Sequence, residues 1–162
     1  MRGVGCAVFL FTALLPTGCG RPRVENGWVR YPEAGVELRM EEGWSALKVT
    51  RVPLPVIAAA EDHGIEPNLF PKQWIEASPE KALEVFMDGA AAEDPELNVT
   101  ASAPRRVEIG TVWKGLPLAR VHYAIHGDGG TLILSGTCAA ATRATHVPAF
   151  DRMAASARVP GP

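Results

Sequence analysis

Residues 116–141, LPLARVHYAIHGDGGTLILSGTCAAA, constrain the fold more than any other stretch of the chain. Leu116 to His126 alternates with a period of two: Ala119, Val121, Tyr123 and Ile125 share one face, and Arg120, His122 and His126 share the other. That period belongs to an extended strand with one buried side. Gly127-Asp128-Gly129-Gly130 is a strong hairpin signal, because glycine and aspartate accept the positive φ angles of a tight reverse turn. Thr131 to Ala141 then returns as a second, more apolar strand. A hairpin of this length needs a second layer against its apolar face.

The rest of the chain supplies candidate layers. Trp28 to Tyr31 and Val36 to Met40 read as strands around the turn Pro32-Glu33-Ala34-Gly35, and Glu41-Glu42-Gly43 turns the chain again. Leu47 to Val52 and Val56 to Ala60 are short strands broken by Pro53 and Pro55. Glu61 to Gly64 is a polar turn, and Asn68 to Ile75 is a weaker strand interrupted by Pro71. Ser78 and Pro79 open a helix, with serine as N-cap and proline where its missing N–H costs nothing. Ala82, Leu83, Phe86, Met87 and Ala90 line one face of it, and it ends before Asp94-Pro95. Asn98 to Thr111 is extended, with Val107 and Ile109 alternating against Arg106 and Glu108, and Lys114-Gly115 makes a turn. A last helix starts near Pro148, with Phe150, Met153, Ala154 and Ala157 as its stripe. Strands, helix, meander, helix is the order of an α+β domain, an antiparallel sheet packed by helices.

The N-terminus addresses the chain outside the cytoplasm. Arg2 precedes an uncharged, mostly apolar run, Val4 to Leu15. As a helix this run spans about 18 Å, short of the roughly 30 Å hydrocarbon core, so it reads as a signal segment. Leu15-Pro16-Thr17-Gly18-Cys19 resembles a bacterial lipobox, with Pro16 where the pattern has an aliphatic residue. The expected division is a signal peptide at 1–18, a lipidated Cys19 with a tether to residue 27, and one domain over 28–159. Ordinary cleavage after Gly20 is the alternative. Of the three cysteines, Cys6 leaves with the leader, and Cys138, inside a strand, reads as a small buried hydrophobe. Without residues 1–18 the chain keeps 15 basic and 18 acidic residues, with no basic stripe, which argues against nucleic acid as a partner.

Three phrases, YPEAGVELRMEEGW, TVWKGLPLARVHY and VPAFDRMAASARV, resemble the PsbP-like superfamily. That group includes plant photosystem II subunits, DcrB-type bacterial lipoproteins and related actinobacterial lipoproteins. The closing phrase departs from the family's Ser-Phe ending, since Ala157 follows Ser156. The resemblance implies a PsbP-like α/β/α sandwich and a non-enzymatic accessory role, and it carries over no binding residue.

No catalytic constellation can be assembled from the residues. Ser135-Gly136 lies inside a strand and lacks the glycine of a nucleophile elbow. His122 and His126 share a strand face at about 13 Å separation, too far apart for one metal ion. Glu61, Asp62 and His63 form the best local cluster of metal-ligating types, with a solvated turn as the plainer reading, and no cofactor is expected. Of the four tryptophans, Trp74 and Trp113 are the candidate partner contacts. The expected function is a non-catalytic accessory or binding domain of a cell-envelope lipoprotein, with the membrane and an envelope protein as partners. A soluble periplasmic carrier of a small apolar ligand is the alternative. An internal apolar pocket would mark the carrier; a filled core with an exposed apolar patch would mark the accessory module.

Overall fold

The computed structural model describes residues 23–32, 34–47 and 56–159. The leader and Cys19 lie outside them, as does most of the strand expected over Leu47 to Val52. The elements are strands β1 (Arg23–Glu25), β2 (Trp28–Tyr31), β3 (Val36–Arg39), β4 (Ser45–Leu47), β5 (Val56–Ala58) and β6 (Asn68–Ile75), helix α1 (Pro79–Glu93), strands β7 (Asn98–Ala103), β8 (Arg106–Trp113), β9 (Leu116–Gly127) and β10 (Gly130–Ala139), and helix α2 (Arg143–Ala155). Strands β1-β2-β3 form a small sheet, and the main sheet runs β4-β5-β6-β10-β9-β8-β7 with every pairing antiparallel.

The hairpin read from residues 116–141 is the centre of the main sheet. Asp128 and Gly129 make its turn, and all of β10 pairs with β9, from Gly127↔Gly130 to Leu118↔Ala139. The two faces of this hairpin bury different things. Ala119, Val121, Tyr123, Leu132, Leu134 and Cys138 meet α2 and the small sheet in the larger core. Val107, Ile109, Ala124 and Ile133 meet Ala82 and Leu83 of α1 on the opposite face. An antiparallel sheet between helices, as the PsbP-like resemblance implies, is the architecture found.

Helix α1 forms as its sequence dictates. The Ser78 hydroxyl accepts from the Lys81 N–H at 3.4 Å, Pro79 takes the first position, and Asp94 caps the end. Helix α2 departs from expectation by starting at Arg143, not near Pro148. Pro148 sits inside it, on a helix led in by a 3-10 turn at Ala140–Thr142. The preference of proline for a helix start is overridden by burial, since Val147 must reach the core ahead of it.

The stretch read as a tether up to residue 27 also folds further than expected. Arg23–Glu25 pairs with β2, because Asn26 and Gly27 both take positive φ, 51° and 78°, and close a tight hairpin. Asn98 to Thr111 divides into β7 and β8, which pair through a turn between Ala103 and Arg106. The two ends of the domain meet: Glu37 N–H donates to the Arg158 carbonyl, and Arg158 N–H donates to the Glu37 carbonyl, both at 2.9 Å.

Candidate functional site

The α1 face of the main sheet is only partly covered. Phe86 of α1 reaches His122, with ring centroids 4.7 Å apart. Toward the Leu116 end of β9 the sheet is open, and a groove of about 310 Å³ lies there. Its floor carries Leu118 and Arg120 of β9, Thr137 of β10 and Asn68 of β6; Gly64, Ile65 and Glu66 form a loop wall, and Trp113 stands at the β8–β9 hairpin. Arg120, Thr137 and Asn68 are direct cross-strand neighbours, so they form a row over three strands. Ile65, Leu118 and Ala139 make a small apolar base beneath it.

The hairpin tip is apolar and exposed. Val112 is 63% exposed, Trp113 47% and Leu116 37%. Lys114 and Gly115, at φ 50° and 80°, turn the chain, and the Lys114 ammonium lies 4.7 Å from the Trp113 ring centroid. Trp113 is thus placed as a contact residue would be. Trp74 is placed differently: it packs against the larger core and its indole N–H donates to the Ala34 carbonyl at 3.0 Å.

Glu61, Asp62 and His63 lie on the turn expected of them, closed by the Asp62↔Ile65 bridge. Asp62 Oδ1 is 2.7 Å from His63 Nδ1, and Asp62 Oδ2 is 3.4 Å from His146 Nε2 of α2. Hydrogen bonding to His63 lowers the Asp62 pKa, with a smaller contribution from His146. Among the described residues no group of three or more His, Cys, Asp or Glu side chains is placed to hold a metal ion. His122 and His126 both stand on β9, apart, as the strand reading requires.

Two buried polar groups went unread in the sequence. His122 Nδ1 lies 2.8 Å from Ser135 Oγ on the neighbouring strand, both side chains buried. Burial, then the positive charges of Arg120 and Lys72, lower the His122 pKa to about 4, so the ring is neutral at physiological pH. Phe86 packs over the pair, which joins two neighbouring strands through this one side-chain hydrogen bond. Glu108, 1% exposed, faces α2 from β8. Arg143 donates to both of its oxygens and Arg106 Nη2 lies 3.2 Å away; Arg106 and the Tyr123 hydroxyl both donate to Asp151 at 2.7 Å. Burial raises the Glu108 pKa, but the hydrogen bonds and charges of Arg143 and then Arg106 outweigh it, and the net shift is downward. This network ties α2 to the sheet. Glu108→Gln, which keeps the shape and removes the charge, is expected to cost about 1–3 kcal/mol in urea unfolding. A change below about 0.5 kcal/mol would remove the network from the account of stability. Cys138 is fully buried and its thiol is pushed up to about 11, first by burial and then by Glu108, so it is not a reactive nucleophile.

No family model matches the chain and no curated protein matches it. Solved structures do. LpqN, described as involved in cell envelope biogenesis of Mycobacterium tuberculosis, matches with a TM-score of 0.51 at 16% identity, covering 77% of this chain and 83% of that one. The fold is shared with LpqN. Cyanobacterial PsbP (CyanoP) from Synechocystis sp. PCC 6803 matches with a TM-score of 0.48 at 12% identity, covering 88% of this chain and 98% of that one. Among the described residues no helix is long and apolar enough to cross a membrane.

Proposed function

We propose that this chain is a cell-envelope protein, anchored through a lipid on Cys19, whose domain is a non-catalytic binding module. The observation that carries the reading is the contrast between a filled interior and an open groove. Tyr31, Leu132, Leu134, Phe150 and Met153 fill the space between the main sheet, α2 and the small sheet, each at most 2% exposed. The groove opens to solvent and is edged by exposed Trp113 and Leu116, which is the form of an interaction surface. The leader, and the fold shared with an envelope-biogenesis protein, support the compartment.

The position of the groove suits the role. Arg23 pairs with Arg30, next to Tyr31, and Tyr31 pairs with Val36. That corner packs near Arg158 and Val159, which reach Gly127. The N-terminal strand therefore enters at the Gly127 end of β9, and the groove lies toward the Leu116 end, over Arg120 and Leu118, about 23–30 Å away at roughly 3.3 Å per residue. A domain held by Cys19 presents the groove away from its anchor.

The test is the mass of the N-terminal peptide from protein expressed in a bacterium with intact lipoprotein processing. A diacylglyceryl-modified peptide beginning at Cys19 is expected, and Cys19→Ala should move the protein from the membrane fraction to the soluble one. An unmodified start near Arg21 would overturn the anchored reading and put the soluble carrier in its place.

A further inference from the structure

We infer that the groove binds a small organic carboxylate, its charge held by Arg120 and Thr137 and its apolar body packed on Trp113 and Leu118. The inference rests on the groove being the binding surface proposed above. Among the described residues, neither the Arg120 guanidinium nor the Thr137 hydroxyl has a hydrogen-bond partner, and Arg120 has no ion pair. Among the described residues Arg30, Arg105, Arg106, Arg143 and Arg152 are each paired with a carboxylate, and of the arginines that are not (Arg23, Arg39, Arg120 and Arg158) Arg120 is the one that lines the groove. Arg120 and Thr137 sit directly opposite each other on β9 and β10, so their donors point from adjacent strands into the same groove. Asn68 extends the row; its amide already donates to the Glu66 carbonyl at 2.8 Å, which steadies the loop wall.

The charge balance selects the anion. A guanidinium fork fits a carboxylate or a phosphate equally well. Glu66 also lines the groove, so every negative charge on a ligand meets a carboxylate as well as Arg120, and a single carboxylate is penalised less than a dianion. Trp113 offers a flat, half-exposed ring, and Leu118 an apolar floor, so the carboxylate belongs on an aromatic or alicyclic body. A volume of about 310 Å³ is at the small end for a ligand pocket and fits one or two rings.

The test is calorimetric titration of the full chain, as its host processes it, with 2-naphthoate, with the uncharged isostere 2-naphthamide, and with inorganic phosphate. Naphthoate is expected to bind at least tenfold more tightly than naphthamide, and phosphate at least tenfold more weakly than naphthoate. Arg120→Gln should erase the naphthoate preference; Thr137→Val should reduce it several-fold; Trp113→Ala should weaken both naphthalene probes alike. Equal binding of the two naphthalene probes, no naphthoate binding by the wild-type protein, or a preference retained in Arg120→Gln would each overturn the inference. Tighter binding of phosphate would overturn the choice of carboxylate. The wild-type comparison decides even where a variant does not fold. The N-terminal mass is independent of it, so failure of the ligand class and failure of the anchored reading are separately visible.

Discussion

Phe150→Ala is expected to destabilise the domain by about 3–5 kcal/mol, lowering its melting temperature by on the order of 15 °C. Phe150 is fully buried, in edge contact with Trp44 at 5.6 Å between centroids, and it lies over Gly136 of β10. A β-carbon at position 136 would stand 2.9 Å from two atoms of the ring. The aromatic ring and the absence of a side chain at 136 are therefore one packing decision. Gly136→Ala alone should cost about 1–3 kcal/mol by overpacking. In the Phe150→Ala background the clash is gone, and the same change should be neutral or stabilising, since alanine is favoured over glycine inside a strand. Urea unfolding of the four proteins in this cycle gives the coupling, expected at 1 kcal/mol or more. Simple additivity would show that the ring does not rest on Gly136.

Acid sensitivity above the carboxylate range is the second large effect. The folded pKa of His122, about 4, lies below its ordinary value of 6.5. Between those values the unfolded chain binds the proton and the folded chain does not, so stability falls as pH falls through this window. The loss is about 2 kcal/mol between pH 7 and 4.5, and about 3 kcal/mol once pH is well below 4. Denaturant titrations at pH 7, 5.5 and 4.5 measure it. The double variant His122→Phe with Ser135→Ala removes both polar groups and should flatten the pH dependence by about 2 kcal/mol over that range, whatever its absolute stability. If wild type and variant lose stability in parallel, His122 is not the titrating group.

The His122–Ser135 pair was within reach of the sequence. A two-residue turn at Asp128-Gly129 sets Gly127 opposite Gly130, and counting five residues outward on each strand brings His122 opposite Ser135. What could not be counted out is Phe86, 36 residues before His122, which closes over the pair and changes it from a solvated dyad to a buried one. The strands, the two faces of β9 and the start of α1 were legible because each rests on local alternation or capping. The start of α2 was not, because a local proline rule competes with long-range burial. That misreading also hid His146, which stands beside Asp62 only once α2 begins at Arg143. The groove was legible in one residue, Trp113, one of four tryptophans in a chain with only two tyrosines. Its polar row was not, because Asn68, Arg120 and Thr137 come from strands brought together only by the register of β6, β10 and β9.

The mutual pairing of Glu37 with Arg158 has a consequence for how the domain is completed. The small sheet contributes Val29, Tyr31, Val36 and Leu38 to the larger core, and α2 contributes Val147, Phe150 and Met153 to the same core. The first described strands therefore have no finished surface to pack on until α2 has been synthesised. A chain delivered N-terminus first must wait, with its earliest strands unburied, for α2 and Arg158. In vectorial synthesis the α1 face of the sheet can be covered first, and the larger core closes only when α2 arrives.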